Sequence, residues 1–221
     1  MEIVGYMLAN WQLIAVRAGE HISIVGVAIG LAILTGVPLG IAITQNQRAA
    51  DTVLRAASII ITIPSIALFG LMIPILSVFG HGIGFVPAVI AVLLYAQLPI
   101  IRNTYSAITN VDPALREAAR GMGMTWPQRL WEVELPIAAP VIIAGVRVAV
   151  VMNIGVTAIA AYIGAGGLGT FISRGISQTD PRQLVTGAVA VSVLAILADL
   201  ALSWLQRVTT SPGLVVTAVA R

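Results

Sequence analysis

Apolar runs dominate the chain, and polar residues interrupt them at only a few places. Five stretches are apolar enough to be spanning helices: about 22–44, 57–79, 83–101, 137–162 and 183–204. A helix that crosses a bilayer needs roughly 20 mostly apolar residues, since each adds about 1.5 Å against a hydrocarbon core about 30 Å thick. The polar breaks fall near 45–56, 80–82, 102–136 and 163–182. This pattern predicts an all-α, polytopic membrane protein with about five transmembrane helices. Ahead of the first span, Val4, Leu8, Trp11 and Ala15 share one helical face. Residues 1–20 therefore read as an amphipathic N-terminal segment at the membrane interface, or equally as a lead-in to the first span. Glu2 and the lack of a basic start argue against a cleaved signal peptide. The predicted organisation is an interfacial segment at 1–20, a transmembrane domain at 21–204 with a loop at 102–136, and a tail at 205–221.

Composition supports this reading. Of the 221 residues, 58% are hydrophobic and 10% charged, and the mean hydropathy is +0.99. Soluble domains carry about 25% charged residues, so this chain has too little polar surface for water. Cysteine is absent, which excludes disulfides and thiolate metal sites. Every basic side chain is an arginine, and no continuous basic face suggests nucleic acid. The arginines are distributed unevenly. With five crossings, Arg48, Arg55, Arg102, Arg116, Arg120, Arg129, Arg207 and Arg221 fall on one side, and Arg17, Arg174 and Arg182 on the other. Cytoplasmic loops are the arginine-rich ones. The split predicts an external N-terminus, a cytoplasmic C-terminus and a cytoplasmic 102–136 loop.

Six prolines lie within the predicted spans: Pro38, Pro64, Pro74, Pro87, Pro99 and Pro140. Each removes a backbone donor and kinks its helix, as a fixed packing shape or a hinge. Small residues recur in "GVPLGIA" (36–42) and "IAGVRVA" (143–149), where they permit close helix contact.

The 102–136 loop has strong helix grammar. Asp112-Pro113 offers an N-cap carboxylate and a proline at the first helical position. A helix follows to about Met122, and Gly123 can end it in the left-handed conformation. Thr125-Trp126-Pro127-Gln128 reads as a capping box that opens a second short helix. The loop is predicted to be a folded projection.

Within it stand Glu117-Ala118-Ala119, then Gly123, then Val133, then Leu135-Pro136. This spacing resembles the cytoplasmic motif of bacterial ABC importer permeases: EAA, three residues, G, nine residues, I, one residue, LP. The one departure is Val133 in place of isoleucine. "ITIPSIALFGLMIPIL" (61–76), "GFVPAVIAVLLYAQLPIIRNTYSAI" (84–108) and "YIGAGGLG" (162–169) resemble the osmoprotectant branch, which imports glycine betaine, carnitine or choline.

The resemblance implies a MetI-like ABC importer permease fold in a bacterial inner membrane. It implies several partners: an ABC ATPase subunit, a second permease subunit (identical or not), an extracytoplasmic substrate-binding protein and the surrounding lipid. The chain itself would bind no cofactor, with ATP and Mg on the ATPase. It implies that the loop is the coupling segment, with Glu117, Ala118, Ala119, Gly123, Met124, Leu135 and Pro136 as its key residues. Small Ala118 and Ala119 would admit close approach of the ATPase, and Glu117 would hydrogen-bond a cation across the interface. Met122, Met124 and Trp126 would add adaptable or large apolar contacts.

Other features are weaker. Gly164, Gly166, Gly167 and Gly169 satisfy G-x-G-x-x-G, but that pattern binds dinucleotides only between a strand and a helix. A tight turn or re-entrant segment at the outer mouth is expected instead. No phosphate-binding GxxxxGK[ST] loop exists without lysine, so the chain is not the ATPase. His21 and His81 are isolated near membrane ends and read as interfacial histidines, and no metal or catalytic constellation is expected. Arg147 and Asp199 lie inside spans, where charge is costly. They could pair, either as a lock between two helices or as a gate element. Tyr95, Gln97 and Asn153 are candidate path-lining polar residues. A secondary transporter would favour inverted repeats, and none is visible. A non-transporting scaffold would leave the loop motif unexplained.

The arginine split generates a topology prediction. A reporter fused after Arg221 reads out as cytoplasmic, and one inserted near Gln178 as external. Finding both on one side overturns the five-crossing arrangement.

Overall fold

The computed structural model describes residues 2–209. Ten α-helices and three short tighter or wider turns make up the described chain, which contains no strand. The helices are α1 (Glu2–Ala9), α2 (Trp11–Ala42), α3 (Gln47–Thr62), α4 (Ser65–Ser77), α5 (Phe85–Thr109), α6 (Pro113–Gly121), α7 (Trp126–Arg129), α8 (Leu135–Thr157), α9 (Gly169–Ser177) and α10 (Pro181–Thr209). Four of them, α2, α5, α8 and α10, are each long and apolar enough to cross a membrane. A fifth crossing exists only if α3 and α4 together count as one span, and they meet at a 99° bend.

That bend revises the single span expected at 57–79. Pro64 has no N–H to donate, and the residue before a proline is pushed out of the helical region. Ile63 accordingly sits at φ −68, ψ 126. The broken ladder leaves the Ile63 carbonyl to find a new donor, and the Tyr95 hydroxyl of α5 supplies it. Neighbouring helices commonly satisfy a freed carbonyl inside a bundle in this way.

The N-terminal boundary also shifts. The chain turns at Asn10, whose side-chain amide donates to the Tyr6 carbonyl at 2.9 Å. From Trp11 the helix runs unbroken to Ala42. The boundary expected at residue 20 therefore falls inside α2, because nothing between Trp11 and Ser23 breaks a helix. The short α1 packs near the start of α10, where Arg182 lies over the Tyr6 ring at 5.8 Å. At the other end, α10 extends five residues into the expected tail. The rest of that tail, from residue 210, lies outside the described residues.

The helix α5 forms the centre. In its most apolar stretch 61% of residues are buried, against 39%, 17% and 11% for the corresponding stretches of the spans containing α2, α8 and α10. α2 runs parallel to α5, and α8 antiparallel. One core cluster joins Ile24 and Ala28 of α2, Phe69 of α4, and Ala88, Val92 and Tyr95 of α5. A second joins Ile29 and Ala32 of α2, Ala96 and Ile100 of α5, and Ala149 of α8. Glycine permits these approaches. A Cβ on Gly40 would lie 2.7 Å from Thr104 Cβ, and one on Gly145 would lie 2.4 Å from Asn103 Cβ.

This arrangement sorts the loops to two ends. One end gathers the α2–α3 turn, the α5–α8 loop and the end of α10. The opposite end gathers the start of α2, the α4–α5 turn and the stretch between α8 and α10, with Gly84 N–H donating to the Ile163 carbonyl at 2.8 Å. Arg48, Arg102, Arg116, Arg120, Arg129 and Arg207 belong to the first end, and Arg17, Arg174 and Arg182 to the second.

Two glycine substitutions separate close approach from ordinary helix effects. Gly145→Ala puts a methyl into the α5–α8 contact and is expected to destabilise by about 1–3 kcal/mol, the usual cost of overpacking. Gly155→Ala, where nothing lies within 4 Å, is expected to be neutral or slightly stabilising. Thermal unfolding of the purified chain in detergent checks both. Equal melting temperatures for the two variants would contradict the close-packed seam.

Candidate functional site

The polar loop is folded as its sequence grammar predicts. Asp112 caps α6, its carboxylate accepting from the Ala114 N–H at 2.8 Å. Gly123 ends the helix at φ +79. Its N–H donates to the Arg120 carbonyl at 2.9 Å, and that of Met124 to the Ala119 carbonyl at 3.1 Å. This pair of bonds is the Schellman closure that a left-handed glycine permits. In the next turn the Gln128 carbonyl oxygen accepts from the Thr125 N–H at 2.9 Å and the Thr125 hydroxyl at 2.8 Å. A wide π-helical turn, Leu130–Glu134, then leads directly into α8.

The expected coupling residues divide by exposure. Glu117, Ala118, Gly123 and Pro136 are exposed, and Met124 and Leu135 are half-buried. Ala119 is 1% exposed. It faces the chain's own interior, which corrects its expected place in a partner contact: each residue turns about 100° around the helix, and Ala119 falls on the side packed against the chain while Glu117 and Ala118 do not. Large apolar side chains stand out from the loop instead, with Leu115, Met122, Trp126 and Trp131 all exposed.

One residue escaped the sequence reading. Glu134 is 3% exposed. Its carboxylate lies 2.9 Å from Arg129 Nε and 3.2 Å from Arg116 Nε. A further nitrogen of Arg116 donates to the Ile108 carbonyl near the end of α5. Charged residues are almost never buried unless paired. The alternation Glu132-Val133-Glu134, with two nearby arginines, was the available signal.

The glycine-rich stretch forms a tight turn at the opposite end of the bundle. Gly164, Gly166 and Gly167 all have positive φ, near 76–79°. A Cβ on Gly169 would lie 1.9 Å from the Ala158 carbonyl oxygen, so only glycine starts α9 there. Glu20 of α2 accepts from the Gly167 N–H at 2.8 Å and pairs with Arg17 at 2.8 Å. Beneath this turn His21 is fully buried rather than interfacial, its Nε2 within 3.0 Å of the Ile154 carbonyl oxygen. Asp180 then caps α10, accepting from the Arg182 N–H at 3.0 Å. The hydrogen-bonded Arg182 guanidinium pulls this carboxyl down to about 2.

Within the bundle, Arg147 of α8 and Asp199 of α10 do pair. Nε meets Oδ1 at 2.5 Å and a terminal nitrogen meets Oδ2 at 2.7 Å, a two-pronged contact. About a third of each side chain remains exposed, at 33% and 36%. The pair opens on a cavity of about 430 Å³ that Ala144, Val148, Val151 and Met152 also line.

This combination of spans and a folded polar projection agrees with comparison to known proteins. The family described as "Binding-protein-dependent transport system inner membrane component" matches residues 29–210. The chain belongs to this family. It is similar to the osmoprotectant import permease protein OsmW of Salmonella typhimurium, at 54% identity over 97% of this chain and 100% of that one. It is 40% identical to the choline transport system permease protein OpuBB of Bacillus subtilis, over 96% of this chain and 95% of that one. Its fold matches the inward-facing methionine ABC transporter MetNI, with a TM-score of 0.84 and 26% identity over 92% of this chain and 99% of that one. The protein is thus a multi-pass membrane permease subunit of an ABC importer.

In this permease the three polar residues singled out for a path take different places. Tyr95 and Asn153 are buried, Tyr95 holding the α3–α4 bend and Asn153 donating to the Ala149 carbonyl at 2.8 Å. Gln97 is half-buried and donates to Thr35 Oγ1 at 2.9 Å.

The ion pair gives a test by charge exchange. Arg147→Ala or Asp199→Ala leaves one intramembrane charge unmatched and is expected to cause a several-fold loss of folded permease. Arg147→Asp combined with Asp199→Arg should recover part of it. Folded yield is read by fluorescence-detected gel filtration. A double variant no better than the worse single reversal removes the pairing as a source of stability.

Proposed function

We propose that two permease subunits, of which this chain is one, import an osmoprotectant by alternating access. Two ATP-hydrolysing subunits drive the cycle, and an extracytoplasmic binding protein delivers the solute. The observation that carries this reading is the α6–α7 projection. It is a folded, doubly capped element at the arginine-rich end, and it presents Glu117, Ala118 and Met122 outward. A bare connector between spans needs neither the caps nor exposed apolar side chains. Trp, Met and Arg are the residue types that interfaces favour. The arginine-rich end is the cytoplasmic one, which puts the projection where ATP is and the glycine turn and α9 where a delivered solute arrives. ATP and Mg belong to the partner, since this chain contains no lysine for a phosphate-binding loop. Gln97, the one half-open residue of the three polar candidates, is assigned to the path.

The solute class rests on the relatives. Those named for osmoprotectant, choline, carnitine or glycine betaine transport share 54%, 40% and 38% identity with this chain. The methionine transporter shares 26%.

Reconstitution with the ATPase and binding protein tests both halves. Expected is ATP-dependent uptake of labelled glycine betaine, carnitine or choline into vesicles, and none of methionine. Ala118→Trp, on the exposed face of α6, is expected to insert normally but to release the ATPase during purification. Methionine uptake refutes the solute assignment. An Ala118→Trp permease that keeps its ATPase and full uptake refutes the docking role.

A further inference from the structure

The loop's two short helices are not attached to the bundle by backbone alone. Glu134 is the last residue of the π-helical turn, and α8 begins at the next position. Its buried carboxylate is shared by Arg129, the last residue of α7, and Arg116 of α6. Arg116 also donates to the Ile108 carbonyl of α5. Glu134 and Arg116 together therefore tie the π-helical turn to α5, α6 and α7 at one junction. Behind it, Ala107, Ile108, Leu130 and Ala138 form a dry cluster that continues the same junction.

We propose that Glu134 is the strut through which movement of the α6–α7 projection reaches α5 and α8. The inference rests on the ATPase-docking role proposed above. The reason for a strut is mechanical. α6 is joined to α5 by a turn and to α7 by a glycine cap, and both are torsional weak points. Without a cross-link, a push on α6 would be absorbed by rotation at Asn110–Asp112 and at Gly123. The Arg116–Glu134–Arg129 clamp spans both weak points. Its contacts, an Arg129 Nε–Glu134 hydrogen bond at 2.9 Å and an Arg116 Nε–Glu134 ion pair at 3.2 Å, centre on a buried carboxylate and are directional enough to carry that push. The unusual turn has the same explanation. A π-helical turn widens the helix by one residue and commonly marks a functional position. Here it carries Glu134 directly to the start of α8.

Glu134 touches neither solute nor nucleotide, so its role is to position. The assay is the reconstituted transporter with ATPase and binding protein, read as solute imported per ATP hydrolysed. Glu134→Gln keeps the shape and an acceptor but removes the charge. Expected is a complex that retains its ATPase and hydrolyses ATP, with solute per ATP lowered about tenfold, the scale of a substantial coupling change. Glu134→Asp, which restores the charge on a shorter arm, should recover part of the ratio. Arg116→Gln provides the same test from the exposed side of the clamp, where misfolding is less of a risk. Three results overturn the proposal: an unchanged ratio in Glu134→Gln and Arg116→Gln, a ratio that Glu134→Asp fails to improve, or uptake and hydrolysis falling in parallel in all three. The Ala118→Trp complex separates this from failure of the docking role. If Ala118→Trp keeps its ATPase, the docking surface is wrong. If it loses its ATPase while Glu134→Gln couples normally, only the strut is wrong.

Discussion

Close contact between helix backbones along α5 is the constraint on which the rest of the structure depends. In hydrocarbon an apolar side chain gains little by leaving lipid for protein, so helices associate through close packing and polar contacts. The chain meets this need with small residues placed on the partners of α5. Gly36 and Gly40 bring α2 against Gln97, Ile100 and Thr104, and Gly145 brings α8 against Pro99 and Asn103. All three contacts lie in the half of α5 that ends at Thr109. Since the loop's Arg116 is anchored on Ile108, the half of α5 that carries these glycine contacts is also the part that holds the projection. The other half of α5 is packed by larger side chains, Phe69, Val92 and Tyr95 among them, and it faces the bend between α3 and α4.

Along α5, that difference separates a half seamed by glycine contacts from a half packed by larger side chains. At the glycine-seamed half, backbone meets backbone and a buried carboxylate ties the loop down. Toward the other end, α3 and α4 break at Ile63-Pro64, and a single hydroxyl from Tyr95 closes the gap. The glycine turn there is held by Glu20, which bonds to Gly167 and to Arg17. The Tyr95 and Gly167 contacts are single hydrogen bonds between elements, while α9 and α10 meet in a glycine seam of their own at Gly175 and Gly187.

Much of this was legible in the sequence where the signal is local. Asp112-Pro113, Gly123 and Thr125–Gln128 each act within four residues, and each forms the predicted cap. The Arg147–Asp199 pair was legible for a different reason. Charges in an apolar run have few affordable partners, so two of them at matching depth on neighbouring spans point to each other. The unreadable features depend on direction. Ala119 looks the same as Ala118 in the sequence, and only the packing of α6 against its own loop turns one inward. Glu134 carries the same charge as Glu132, and the π-helical turn decides which is buried. His21 stands at the predicted edge of the first span, where an interfacial place is expected, yet the glycine turn folds over it. Pro64 announced a disturbance in the second span but not its angle, which Tyr95 and the core around Phe69 determine.

The two sides of the α8–α10 seam present very different surfaces. On one side, Ile22, Val25, Ile29, Val150, Ile154, Leu194 and Leu197 line an apolar groove of about 560 Å³. Lipid tails can cover such a surface without penalty. On the other side the cavity beside Arg147 and Asp199 leaves a third of each charged side chain uncovered. Within the bilayer, ionisable groups face a protein interior or a water-filled space, because hydrocarbon cannot solvate them. Lipid is therefore a costly neighbour for this side. Closing the cavity by a shift of α10 would require the two-pronged contact to break or move with it. The charge at this seam thus specifies both what may lie against it and which helices must move together, whereas the apolar groove a few residues away constrains neither.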